Sequence, residues 1–154
     1  MQSEKYLNHV RSYPCIACLA LGRRNYNTFA HHEDLTNKYR YNKRASDFVA
    51  VPLCITHHYE RHRLGREKFW QKYLSDYRGI YTFVIILLKS FFGEENFENI
   101  DDDYFLSIEG EFTIRNKFDE LLDYVEKLYE QSLPEKSTEL AVLKTTETEE
   151  NNHE

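Results

Sequence analysis

The chain has 154 residues, enough for one domain with a sizeable core, and 41% of them are hydrophobic. The formal net charge is −6, but residues 1–78 contain 14 basic and 7 acidic residues, whereas residues 79–154 contain 6 and 19. The acidic total therefore does not exclude nucleic acid as a partner of the basic first half, and the acidic second half suggests a protein partner.

The number of cysteines argues against a disulfide-bonded secreted protein, and the length of the apolar segments argues against a membrane-spanning one. Three cysteines cannot all pair in disulfides, and the N-terminus has no apolar run of the kind found in signal peptides. The longest apolar stretch, within Ile80–Phe92, is too short to cross a bilayer. We therefore expect a soluble cytoplasmic protein in a reducing compartment, with no membrane partner.

Turn residues and the hydrophobic pattern divide the first half into short elements. Residues 1–14 are interpreted as a lead-in, followed by a tight turn over Cys15–Cys18 and, later, a charged loop over Glu33–Asp47. The predicted regular elements are, in chain order, strands at Phe29–His32 and Phe48–Leu53 and helices from Thr56 to about Gly65 and over Glu67–Asp76.

The second half is predicted to be mainly helical. Ile80–Phe92 is either a buried helix or a buried strand, because periodicity does not separate the two. Tyr104–Ile114 alternates as a strand does, whereas Arg115–Leu133 has apolar residues at helical spacing. From Pro134 the chain is rich in Thr and Glu, and we expect disorder. The predicted organisation is a domain over residues 1–78, an acidic and mostly helical extension over 79–133 and a disordered tail over 134–154, in the α+β class.

Two short hooks with the same spacing predict a closed metal site. Cys15 and Cys18 form a C-x-x-C pair, and Cys54 and His57 repeat that spacing later in the chain. Zinc prefers four such ligands in a tetrahedron, and a site with four protein ligands leaves no position for water. The set therefore predicts a structural zinc. The alternative is a group of ordinary buried thiols with an unrelated histidine.

A second group of histidines predicts an open metal site. His58 and His62 are four residues apart and project from one face of a helix, whereas His57 lies about 100° away around it. His31 is the natural third ligand, so positions remain for water and a phosphate oxygen, and His32 is left as a general base. Adjacent strand residues point to opposite faces, so both side chains reach the site only through a bend or bulge. Alternatively, His32 binds the metal and His31 packs elsewhere.

The order C-x-x-C, His-His, Val-Pro-Leu-Cys and x-x-His-His-x-x-x-His resembles that of the HNH endonucleases, whose ββα-metal finger cleaves DNA. Ser46–His58 is similar to phage-encoded HNH nucleases of the recombination-enhancing Ref type and to their YbcN-like relatives, and Gly65–Trp70 continues the likeness. The resemblance covers residues 9–78. It implies a zinc-stabilised treble-clef or ββα-metal finger, DNA as substrate and an association with phage recombination.

The resemblance also implies roles for single residues. It makes His31 a metal ligand and His32 the general base, and it matches the last histidine of the motif to His58, with the histidine one turn later as a further ligand. The middle Asn of the motif has no clear counterpart. Asp47 is nearest in spacing and could hold His32 in the productive tautomer, unless it is only a turn residue. Asn42 is a weaker candidate.

These patterns predict a metal-dependent DNA endonuclease or nickase, a hydrolase with structural zinc and with Mg²⁺, Mn²⁺, Ni²⁺ or Zn²⁺ at its active site. A second hypothesis is a non-catalytic zinc-stabilised module that binds DNA and recruits a protein partner through its acidic half. In a third, both metals are structural and the protein is a regulatory scaffold. The basic residues that could contact phosphates, unless they are ordinary solvated charge, are Arg23, Arg24, Lys38, Arg40, Lys43, Arg44, Arg61, Arg63 and Arg66.

Overall fold

The computed structural model describes residues 1–37 and 45–134, and it is an α+β structure with a small two-stranded sheet and mostly helices. The helices and strands are, in chain order, α1 (Glu4–Arg11), α2 (Ile16–Ala20), β1 (Thr28–His32), β2 (Ala50–Cys54), α3 (Ile55–Leu64), α4 (Arg66–Leu74), α5 (Gly79–Phe92) and α6 (Glu111–Ser132). Short 3₁₀ helices lie at Asp47–Val49, Glu94–Phe97 and Tyr104–Ser107. Within the described residues, none of the helices combines the length and the apolar character needed to cross a membrane.

β1 and β2 pair as antiparallel strands, and their register sets the position of two histidines. His31 lies opposite Val51, and His32, the last residue of β1, lies opposite Ala50. The pairing runs along the whole of both strands without an interruption. The chain leaves β2 at Cys54 and enters α3 at the next residue, so two strands and a helix follow one another. Both predicted strands are confirmed, with bounds shifted by one or two residues.

α5 is a helix, which decides between the two alternatives for Ile80–Phe92. Its buried residues include Ile80, Tyr81, Val84 and Leu88. The helix packs against α1, β2 and α4, and so it is covered on several sides. That arrangement explains a segment that is apolar almost all round, because a helix enclosed by other elements needs few polar residues.

The interpretation of residues 1–14 as a lead-in is wrong, because α1 lies there. Ser3 is its N-cap, and the Oγ of Ser3 accepts a hydrogen bond from the Tyr6 backbone N–H at 3.1 Å. Tyr6, Leu7 and Val10 are buried on the inner face of the helix, and the core is continuous from these residues to Val125 in α6. The capping serine followed by apolar residues at helical spacing is a signal that the sequence does contain.

The strand predicted over Tyr104–Ile114 is also wrong. Tyr104–Ser107 forms a 3₁₀ helix, and α6 begins at Glu111 after Gly110, whose φ of 85° is accessible to glycine without strain. The predicted helix over Arg115–Leu133 is confirmed and begins four residues earlier, at Glu111. The alternation of apolar and polar residues over Tyr104–Ile114 is too short to distinguish a strand from a 3₁₀ helix that is followed by the start of an α-helix.

Contacts from α6 and α5 fix the segment that follows β1. Arg115 donates from Nη1 to the Asp34 carboxylate at 2.9 Å and to the Thr36 carbonyl oxygen at 3.0 Å. The Asp119 carboxylate accepts from the Asn37 backbone N–H at 3.1 Å. The chain between β1 and residue 37 therefore lies against the first half of α6. The predicted tail lies outside the described residues except for Pro134, and so do Lys38, Arg40, Asn42, Lys43 and Arg44.

Candidate metal centres

The two predicted hooks meet in a compact group of three sulfurs and one nitrogen. The Nδ1 of His57 lies 3.5 Å from the Sγ of Cys15, 3.4 Å from that of Cys18 and 3.3 Å from that of Cys54. The sulfurs of Cys18 and Cys54 are 3.9 Å apart. A tetrahedral zinc ion with ordinary bond lengths requires about 3.5 Å between nitrogen and sulfur and about 3.8 Å between sulfurs. The spacing fits such an ion closely.

The start of a helix positions each hook. Cys15 is the N-cap of α2, and Cys54 ends β2 and is the N-cap of α3. Cys18 and His57 then come from the first turns of the two helices. A ligand at the cap and another three residues later lie on the same side of a helix start, which is why the C-x-x-C and C-x-x-H spacings make such hooks.

The chemistry of this group also fits a divalent cation. All four side chains are buried, and the three cysteines are free thiols. Burial, together with the neighbouring Cys15 and Cys54, raises the pKa of Cys18 to about 12, so this thiol does not ionise readily without a positive charge beside it. Burial lowers the pKa of His57 and keeps its ring in the neutral form that binds metals. The group could hold a metal such as zinc.

Three histidines form the second group, as the sequence predicted. The Nε2 atoms of His58 and His62 are 3.0 Å apart on the same face of α3. The ring of His31 on β1 lies 5.1 Å from that of His58 and 5.3 Å from that of His62, measured between centroids. One ligand nitrogen from each ring lies within 4.8 Å of the others, so the three could share one ion.

The second group is more open to solvent than the first. His31 is buried, His58 is half-buried and His62 is exposed. Burial, followed by the charges of His31, His62 and Arg61, lowers the pKa of His58, which favours a neutral ring with a lone pair for a metal. Three histidine ligands with solvent on one side would leave coordination positions for water or another oxygen ligand.

A buried carboxylate that the sequence analysis did not identify lies behind His31. Glu33 Oε1 lies 3.1 Å from the Nε2 of His31 and accepts hydrogen bonds from Arg61 Nε at 2.7 Å and Trp70 Nε1 at 2.9 Å. Burial alone would raise the pKa of Glu33, but the hydrogen bonds from His31 and Arg61 outweigh it and lower the pKa to about 2. Glu33 is therefore a permanent anion beside the three histidines.

His32 has different partners from His31. Its Nε2 lies 2.8 Å from Oδ1 of Asp47, and the other oxygen of Asp47 accepts from the Ser3 backbone N–H at 2.6 Å. Asp47 is buried, whereas the His32 side chain is 31% exposed. Among the described residues, the cluster formed with His58 includes His31 and not His32, and the regular strand pairing places the two neighbouring rings on opposite faces. The bend or bulge that the sequence analysis required is not found within β1.

The basic residues predicted to contact phosphates are distributed unevenly. Arg23, Arg24 and Arg63 are exposed. Arg61 is bound to Glu33, and its side chain is only 12% exposed. Arg66 donates to the Asp34 carbonyl oxygen and pairs with Glu111. The guanidinium groups of Arg61 and Arg66 are therefore occupied within the protein, and these two predicted contacts are not supported by the geometry.

Glu33 could have been found from the sequence by a simple rule. It follows His31 by two residues, and alternate residues of an extended chain share a face.

Comparisons with protein-family models, with curated proteins and with solved structures found no match to this chain.

Proposed function

We propose that the protein is a metal-dependent DNA endonuclease or nickase of the HNH type, built on a zinc-stabilised treble-clef finger. The observation that carries the proposal is the convergence of His31, His58 and His62 on one solvent-accessible point. A strand-strand-helix order with a closed Cys₃His group at its base supports the same assignment. A module that only bound DNA would have no use for a second, open group of metal ligands.

The three histidines would hold the catalytic ion. When bound, a divalent ion supplies charge neutralisation at the scissile phosphate and at the departing 3′ oxygen. Nitrogen ligands suit zinc or nickel best, and Mg²⁺ or Mn²⁺ would depend on additional oxygen ligands from the phosphate. Cys15, Cys18, Cys54 and His57 would hold the structural zinc, which fixes β2 and the start of α3 and so positions two of the three histidines.

His32 would act as the general base. A carboxylate only accepts hydrogen bonds, so the contact with Asp47 requires the proton of His32 to be on Nε2. The Nδ1 atom then has the lone pair that accepts a proton from the attacking water. β1 ends at His32, so a phosphate would have to lie across this strand end to meet the rings of both β1 histidines, which point to opposite faces of the strand. Asp47 would take the place of the middle Asn of the motif as the residue that orients the base.

Exposed basic side chains would contribute affinity for DNA without sequence preference. Arg23, Arg24 and Arg63 can reach neighbouring phosphates from the surface, and such contacts weaken as salt increases.

Replacement of His32 tests the proposal directly. The wild-type protein should nick supercoiled plasmid in a series of divalent metals, and His32→Ala should lower the rate by about 10²–10⁴-fold, because it removes the proton acceptor. Both metal sites and the fold should be retained. His9→Gln is the matched control, because His9 contacts Ser90 and is not part of the cluster. A His32→Ala protein that cleaves as fast as His9→Gln, or a wild-type protein that binds DNA and never cleaves it, would refute the endonuclease assignment.

A further inference from the structure

We propose that Glu33 is a positioning residue for the second metal site: it holds the His31 ring in one orientation and one tautomer, and so sets the affinity of the site for its ion. The inference rests on the proposed function, in that it assumes the three histidines bind a metal. It adds a fourth side chain to the site, one that lies behind the ligands rather than among them.

The contact with His31 determines which nitrogen remains for the ion. The Nε2 of His31 lies 3.1 Å from Oε1 of Glu33. Because the carboxylate can only accept, Nε2 carries the proton, and Nδ1 is the ring nitrogen with a lone pair for a metal. Carboxylates that accept from the second nitrogen of a ligating histidine fix its tautomer and ring orientation in many metal sites.

Three other hydrogen bonds immobilise the carboxylate itself. Arg61 donates to Oε1 from Nε at 2.7 Å and to Oε2 from Nη2 at 3.1 Å, and Trp70 donates to Oε1 at 2.9 Å. The Glu33 side chain is 0% exposed, so water does not compete for these contacts. Arg61 and Trp70 therefore hold the Glu33 carboxylate in one position, and the His31 ring that donates to it is held in one orientation. A solvent-exposed glutamate would not orient the ring in this way.

The charge of Glu33 has a second effect on the site. Arg61 follows His58 by three residues on α3, so the two side chains are neighbours on the helix surface and the charge of Arg61 opposes a cation bound by His58. The Glu33 carboxylate pairs with this guanidinium and offsets it. Without Glu33, the positive charge of Arg61 would be unpaired beside three histidine ligands, none of which supplies a negative charge to offset it.

The experiment measures metal binding rather than cleavage. Protein that holds one zinc per chain is titrated with Co²⁺, whose visible absorption reports the ligands of the second site, and with Zn²⁺ in competition with a chelator. Glu33→Gln should lower the affinity of the second site by about 10- to 100-fold and change the Co²⁺ spectrum. Trp70→Phe is the matched control, because it removes one donor to the same oxygen and leaves the contacts of Glu33 with His31 and Arg61 in place.

A second variant guards against misfolding. Glu33→Leu combined with Arg61→Met replaces the buried ion pair by apolar side chains, an exchange that many proteins tolerate. Retention of the first zinc shows that the finger is folded. In this variant we expect a loss of affinity from the released His31 ring alone, without the added effect of an unpaired Arg61, and loss of the single His31 tautomer in ¹⁵N NMR spectra of the protein that holds only the first zinc.

The outcomes separate this inference from the endonuclease assignment. If both variants bind the second ion as tightly as Trp70→Phe does, Glu33 has no positioning role, whatever the protein does to DNA. If Glu33→Gln weakens the ion as expected and the wild-type protein does not cleave DNA, the role of Glu33 stands and the nuclease assignment is refuted. His32→Ala should bind the second ion with unchanged affinity, which separates the ligand group from the base.

Discussion

His31 and His32 are adjacent on β1, but their rings bind different carboxylates. His31 lies against Glu33 on the face that meets α3, and His32 lies against Asp47. Each carboxylate is buried and accepts further hydrogen bonds that hold it in place. The alternation of a regular strand therefore gives two neighbouring imidazoles separate roles, one as a ligand and the other as a candidate base.

Asp47→Asn should disable His32 although the two side chains have the same shape. The Ser3 backbone N–H can only donate, so the new amide must turn its oxygen to Ser3 and its NH₂ group to His32. The Nε2 of His32 must then accept, and the ring proton moves to Nδ1, where the proposed base needs its lone pair. We expect nicking to slow by about 10²–10⁴-fold, as for loss of the base itself. The change of tautomer should be visible by ¹⁵N NMR.

Truncation of the same residue provides the contrast. Asp47→Ala removes the partner of His32 but leaves the ring free to adopt either tautomer. Cleavage by Asp47→Ala should therefore exceed cleavage by Asp47→Asn, even though only Asp47→Ala leaves the Ser3 N–H unpaired and loses stability for that reason. Equal cleavage rates in the two variants would contradict a tautomer role for Asp47 and would favour its interpretation as a turn residue.

Among the elements, α6 has a function that its acidic composition does not indicate. Its first half binds the segment that follows β1, through Arg115 to Asp34 and Thr36 and through Asp119 to Asn37. Tyr81 in α5 adds a hydrogen bond to the carbonyl oxygen of Leu35 at 3.1 Å. The second half of the chain thus holds the residues that come directly after the histidines of β1.

Arg115→Ala tests this contact between α6 and the segment after β1. Arg115 is only 14% exposed and donates both to a carboxylate and to a backbone carbonyl oxygen. We expect the free energy of unfolding to fall by about 1 kcal/mol, a value that allows for the exposure of Asp34. Denaturant unfolding of the zinc-bound protein would measure the change.

Lys117→Ala is the control on the same helix. Lys117 is half-exposed and pairs with Glu120 one turn later at 3.7 Å, so its replacement should change stability by less than about 0.5 kcal/mol. If Arg115→Ala is no more destabilising than Lys117→Ala, the contact does not hold the segment in place.

At the scale of the whole molecule, one core joins the two halves that differ in charge. Buried residues run from Tyr6 in α1 through the helix α5 to Val125 in α6. The basic half supplies both groups of candidate metal ligands, and the acidic half supplies α5, which packs against α1, β2 and α4. The split in charge along the sequence therefore does not correspond to a split in the hydrophobic core.

The candidate ligands could be predicted from the sequence because their spacing is local. Cys15 with Cys18, and Cys54 with His57, lie one helical turn apart, and short-range geometry is nearly fixed by the chain itself. The network around Glu33 could not be derived in full in the same way, because Trp70 approaches from 37 residues away and no local pattern indicates that contact. Helix α1 is predictable from local signals, because Ser3 is a capping residue and apolar residues at helical spacing follow it.

The most direct test of the account combines metal stoichiometry with cleavage. Protein that holds one zinc per chain is supplied with increasing amounts of a second divalent ion while the nicking of supercoiled plasmid is followed. Nicking should rise with occupancy of the second site and level off at two ions per chain. A variant with His58→Ala and His62→Ala should hold one ion and not cleave. Cleavage that does not depend on the second ion would contradict the account. So would a protein that binds two ions and does not cleave with any of the metals or at any pH tested.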